Sequence, residues 1–166
     1  MLAISGSRSA TTQAQIDAAQ SYSKVWPDAA DFLPNFPKRA ALMEKGVRTL
    51  AGGTNLLAAV SEKRDEDIHS SRLSRMLAEF AADLIERTTP ACLFVAGGDT
   101  SSAVVSALDV ESLEFARDID RGVPLVATTS AGTTGLLMVL KVADGPIGCF
   151  RFCGSTPHIA RDATSA

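Results

Sequence analysis

At 166 residues the chain has the length of one domain, and its 46% hydrophobic and 21% charged residues are those of an ordinary globular protein. A net charge of −3 gives no basic footprint for nucleic acid, and no apolar run approaches the roughly 18 residues that span a bilayer. Three cysteines (Cys92, Cys149 and Cys153) are too few and odd in number for a disulfide framework. A soluble cytoplasmic protein is expected, and the start Met1-Leu2-Ala3-Ile4 lacks the basic region of a signal peptide.

Residues 1–5 read as a short first strand. Thr12-Gln13-Ala14-Gln15 matches a capping box with Thr12 as N-cap, which predicts a helix to about residue 22. The stretch 26–37 holds three prolines and reads as an irregular surface connection. A helix over 38–50 is stopped by Gly52-Gly53, and a buried strand over 55–60 follows. The charged run 61–67 reads as a solvated loop. Leu73, Met76, Leu77, Phe80 and Leu84 then form one apolar stripe at helical spacing, ended by Pro90. Residues 91–96 form the next strand, 101–108 a helix, and 113–116 a half-exposed strand. Two more β-like runs lie at 125–128 and 136–140. Helices alternating with apolar strands predict an α/β protein: a layered, mostly parallel or mixed sheet flanked by helices, Rossmann-like in type.

The most informative stretch is Leu93-Phe94-Val95-Ala96-Gly97-Gly98-Asp99-Thr100, a buried strand running through a glycine pair into a helix. Glycines let a ligand approach the backbone, and the unpaired N–H groups of a first helical turn attract anions. In that reading the Gly98, Asp99 and Thr100 amides hold a phosphate and the Thr100 hydroxyl adds a donor. Asp99 cannot itself bind phosphate, so a magnesium ion or a ribose hydroxyl is its consistent partner. The plainer alternative makes Asp99 or Thr100 an ordinary N-cap. Ser5-Gly6-Ser7-Arg8-Ser9-Ala10-Thr11 is a second strand-to-loop junction that could wrap a phosphate, with Arg8 supplying charge, or could be a loop rich in cap-formers. It lacks the glycine-lysine-serine ending of a P-loop. Cys149, Cys153 and His158 make a weak zinc signature, His69 is expected to be exposed, and Cys92 reads as an inert core thiol.

Together these motifs resemble the C-terminal, nucleotide-binding half of the four-carbon acid sugar kinases. The pattern Ser-Gly-Ser-x-Ser-x-x-Thr-x-x-Gln stands here as Ser5-Gly6-Ser7-Arg8-Ser9, with Thr12 and Gln15 filling the last two places within one residue of slack. The glycine-glycine-acid-threonine stretch at 97–100 and then Gly122-Val123-Pro124 follow in order. The resemblance implies a domain over residues 1–141 that binds ATP with Mg2+, contacted by Ser7, Ser9, Gly97, Gly98, Asp99 and Thr100. Asp99 would lie close to the metal. The family's third ATP element is a lysine followed by a glycine-rich loop. Leu136 to Lys141 supplies the strand and the lysine, whereas residues 142–148 depart from that loop. Residues 149–166 lack the family's closing helix, which suggests a divergent or frame-altered tail over 142–166. An apolar strand left exposed by that loss would favour pairing between chains into a homo-oligomer.

The family phosphorylates threonate, erythronate and related acids, and its sugar-acid site comes largely from an N-terminal domain that these residues do not include. The resemblance therefore implies the ATP-binding half of a kinase, inactive by itself, because holding both reactants in line is most of phosphoryl-transfer catalysis. No residue here is a good candidate for the base that would activate a sugar hydroxyl. Two other readings stand beside it: a folded, non-catalytic remnant or interaction domain without nucleotide binding, and an unrelated α/β module for a small phosphorylated ligand.

Overall fold

The computed structural model describes residues 1–32, 37–60, 69–120, 122–130 and 135–141. The loop 61–67, the zinc candidates Cys149, Cys153 and His158, and the whole tail 142–166 lie outside the described residues. The elements run β1 (Leu2–Ser5), α1 (Ala10–Ala18), β2 (Tyr22–Val25), a 3-10 turn (Ala29–Phe32), α2 (Pro37–Ala51), β3 (Asn55–Ala59), α3 (Ser70–Thr88), β4 (Cys92–Ala96), α4 (Gly98–Ala107), β5 (Ser112–Asp120), β6 (Val123–Thr129) and β7 (Leu137–Lys141).

These strands form one seven-stranded sheet in the order β2-β3-β1-β4-β7-β6-β5. The first five are mutually parallel, and β6 runs antiparallel to both β7 and β5. The expected α/β layering with a mixed sheet is what the chain adopts. Strands β1 and β4 are buried along their whole length, as a parallel sheet covered on both faces requires.

Alternate strand residues feed two cores. Leu2, Ile4, Leu56, Leu93 and Val95 face α2, α3 and α4. Ala3, Leu57, Phe94, Leu137 and Val139 face Ile16 of α1 and Ala19, its C-cap. The predicted stripe of α3 is buried throughout, and Ala81 and Ile85 extend it. Each fully buried Leu or Phe there contributes about 1.5–3 kcal/mol of apolar transfer. The helix ends as expected beside Pro90, with Thr89 turning left-handed at φ 42°.

Five expectations need correction. Helix α1 starts at Ala10 and ends at Ala18, and its N-cap is Ser9, not Thr12, because the Ser9 hydroxyl accepts from the Thr12 amide. Strand β2 has no counterpart in the sequence reading; its four residues carry too short a pattern, and the predicted helix ran over it. The connection before α2 is anchored rather than superficial, since Phe32 is buried edge-on against Phe80 with ring centroids 5.5 Å apart. Helix α4 begins at Gly98, three residues earlier than predicted, and β5 extends well beyond 113–116.

Candidate anion-binding site

The chain crosses from one side of β1 to the other: β2 and β3 lie on one flank, β4 and β7 on the opposite flank. In an open α/β sheet, ligands bind at such a crossing point, beyond the carboxyl ends of the strands. Register pairs Ser5 with Ala96, so the loops leaving β1 and β4 emerge side by side. The Gly6 amide donates to the Ala96 carbonyl (3.2 Å), and the Gly97 amide donates to the Lys141 carbonyl (2.9 Å). Three strand ends are thereby stitched into one rim.

A cleft of about 580 Å³ opens there. Ser7 and Ser9 line it from the β1–α1 loop; Gly97, Gly98, Asp99 and Thr100 line it from the β4–α4 turn; Lys141 closes it from the end of β7. All seven residues singled out in the sequence thus meet in one place. His69, as expected, is exposed and precedes α3.

The glycines have separate geometric reasons. Gly97 sits at φ +114°, a backbone conformation open to glycine and strained for any other residue. A Cβ on Gly6 would collide with the Thr100 hydroxyl, so only glycine lets the two loops approach this closely. Gly97 is itself the N-cap of α4 and makes no side-chain capping bond. Asp99 and Thr100 are already helical, which rules out the N-cap alternative for both. Ser101 is the first residue whose amide bonds back into the helix, to the Gly97 carbonyl at 2.8 Å. The Gly98, Asp99 and Thr100 amides ahead of it have no intrahelical acceptor. Asp99 is exposed in that first turn, where a carboxylate suits the positive end of the helix.

Across the cleft, the serine loop is held by its own hydroxyls. The Ser7 hydroxyl donates to Ser9 Oγ (3.4 Å), Ser9 Oγ donates to Thr12 Oγ1 (2.9 Å), and the Thr12 amide donates back to Ser9 Oγ (3.1 Å). Lys141 is only 3% exposed, and its ammonium donates to Thr12 Oγ1 at 3.3 Å. An ammonium carries three donors, and among the described residues no carboxylate pairs with this one. A buried cation whose one partner among the described residues is neutral is costly unless an anion completes its shell.

The sequence reading missed the third wall. Ser70, Leu73 and Ser74 from the start of α3 line the same cleft. That helix follows β3, the neighbour of β1, so its N-terminus opens at the same edge. Away from the cleft, burial pushes the Cys92 thiol up to about 12, which fits the inert core role expected of it. Among the described residues no cluster of three His, Cys, Asp or Glu side chains could hold a metal, and no helix is long and apolar enough to cross a membrane.

A family model described as the nucleotide-binding C-terminal domain matches residues 2–142. The chain belongs to that family. A D-threonate kinase from Bordetella bronchiseptica is 26% identical over 144 residues, covering 85% of this chain and 36% of that protein. A 3-oxo-tetronate kinase from Burkholderia multivorans is 42% identical over 71 residues, covering 36% of this chain and 17% of that protein. These relatives are four-carbon sugar-acid kinases. The fold is shared with a domain of unknown function from Bordetella bronchiseptica, crystallised with bound citrate as a domain-swapped dimer. That likeness has a TM-score of 0.81 at 24% identity, covering 93% of this chain and 40% of that one. The chain thus spans 40% or less of each of these proteins.

Proposed function

We propose that the chain is the Mg-ATP-binding domain of a kinase acting on four-carbon sugar acids. One observation carries this reading: buried Lys141, whose ammonium has one neutral partner among the described residues, lines the same cleft as the open N-terminal turn of α4. Lysine charge, free backbone amides and a helix dipole are the recurring parts of a phosphate cradle. The Gly98, Asp99 and Thr100 amides and Lys141 would hold the phosphates, and Ser7 and Ser9 would donate from the opposite loop. Asp99 would take magnesium through its exposed carboxylate. One carboxylate is enough for an ion that keeps most of its waters and shares the phosphate oxygens. Magnesium would neutralise charge developing on the transferred phosphoryl group.

The sugar acid would be held by a domain outside these 166 residues, so the chain by itself binds nucleotide without turning over. The kinship with sugar-acid kinases supports a place in cytoplasmic carbohydrate metabolism. The domain-swapped relative and the exposed edge strand β5, where Phe115 is 62% exposed, support assembly into homo-oligomers.

Calorimetry of the 166-residue chain with Mg-ATP, ADP and a sugar phosphate tests the reading. Saturable binding of the adenine nucleotides upholds it. A folded sample that binds none of the three overturns it in favour of a non-catalytic interaction domain, and a preference for sugar phosphate overturns it in favour of a module for small phosphorylated ligands.

A further inference from the structure

We infer that Thr12 is a positioning residue that fixes the Lys141 ammonium over the glycine turn and so sets the strength of phosphate binding. Lysine is a point charge on a flexible stem, and ordering it costs about 2 kcal/mol of side-chain entropy unless something already holds it. In this chain the holder is Thr12. It is 1% exposed and lies on the inward face of α1, one and two turns ahead of Ile16 and Ala19.

The strand order makes the contact informative. Lys141 ends β7, whereas Thr12 belongs to the helix after β1, and β4 lies between those strands. The lysine side chain therefore reaches across the Gly97 turn to find the Thr12 hydroxyl, 129 positions away in sequence. Leu137 and Val139 face the α1 side of the sheet, and alternation carries Lys141 to that side as well.

Thr12 is itself doubly restrained. Its β-branched side chain has few rotamers, and its hydroxyl accepts from Ser9 while its amide donates to Ser9. One hydroxyl thus joins the serine loop, the cap of α1 and the buried cation. The chain sets the charge in place before any ligand arrives, which is how preorganisation raises affinity.

The assignment rests on the phosphate reading of the cleft, and a double-mutant cycle separates the two. Wild type, Thr12→Val, Thr12→Ser, Lys141→Met and the Thr12→Val/Lys141→Met pair are titrated with Mg-ATP and, separately, with inorganic pyrophosphate. Thr12→Val is expected to weaken both ligands about tenfold, the loss of a hydrogen bond to a charged group. Thr12→Ser, which keeps the hydroxyl, is expected to stay within about threefold of wild type, and Thr12→Val is expected to change affinity less than about twofold once Lys141 is methionine. Should Thr12→Val fail to fold, Thr12→Ala takes its place in the cycle. Equal losses from Thr12→Val with and without Lys141 overturn the proposal, since Thr12 would then act on the ligand directly. An unchanged affinity in Thr12→Val, or Thr12→Ser as weak as Thr12→Val, overturns it too. Pyrophosphate binding without ATP binding removes the nucleotide reading and leaves the role of Thr12 to the cycle. A wild-type chain that binds neither ligand removes both.

Discussion

Replacing Lys141 by methionine should move stability and nucleotide affinity in opposite directions. The two side chains have similar length, so the packing beside Thr12 is kept while the charge is removed. In the free protein Lys141 is 3% exposed, and among the described residues its ammonium has a single hydroxyl acceptor at 3.3 Å. Replacing an incompletely satisfied buried charge by an apolar group is often neutral or stabilising by about 1–4 kcal/mol. The low end, about 1 kcal/mol, is expected here, because Thr12 keeps its Ser9 bond at 2.9 Å and loses only the lysine. At this chain length that raises Tm by about 2–4 °C. With Mg-ATP the same change removes a charge-assisted hydrogen bond worth about 1.5–3 kcal/mol, so Kd should rise about 10- to 150-fold. Thermal melts without ligand and calorimetry with Mg-ATP read the two effects separately. A variant that loses about 2 kcal/mol of stability and binds ATP like wild type would refute the reasoning, because Lys141 would then be a structural cation.

Asp99→Ala should leave Tm within about 1–2 °C, since the side chain is exposed and caps nothing, and should weaken ATP only when magnesium is present; titrations with and without the metal check this. Gly6→Ala should cost about 1–3 kcal/mol in urea unfolding, because the new Cβ meets the Thr100 hydroxyl, and nucleotide affinity should fall with it as the Thr100 turn is displaced. Cys92 titrates at about 12 in the folded chain against an ordinary 9.0, so its contribution is fully present below pH 9 and is lost as pH rises toward 12. Between pH 8 and pH 10, wild type should lose about 1.4 kcal/mol more than Cys92→Ala, read from urea midpoints at each pH.

The parts legible from the sequence are those whose signal is local. The α3 stripe and the apolar run of β4 each carry a full period of pattern within one element, and tertiary packing had nothing to override. The start of α1 was misread for an equally local reason. Ser7, Ser9, Thr11 and Thr12 can all cap, and which one does depends on where the chain leaves β1, so the choice fell to Ser9. Strand β2 went unseen because four residues with two half-buried polar positions look like the end of the helix before them. The α3 wall of the cleft was hidden differently. Ser70 and Ser74 acquire meaning only once β3 is known to lie beside β1, and no spacing along the chain states that neighbourhood.

Strand order also explains how a chain with net charge −3 gathers helix starts and a buried lysine around one cleft. Strands β3, β1 and β4 are adjacent and parallel, so the helices that follow them, α3, α1 and α4, all begin at one edge of the sheet. Each helix start carries about half a positive charge from its aligned peptide dipoles. Three such starts and one buried lysine set a local field that formal side-chain charges, summed over the molecule, do not register. Net charge counts formal side-chain charges, so it carries no signal from a cleft lined largely by backbone groups. For the same reason, single substitutions of Ser7 or Ser9 should affect nucleotide binding less than Lys141→Met does: the amides stay in place whatever the side chains are, whereas the lysine charge has no backbone substitute.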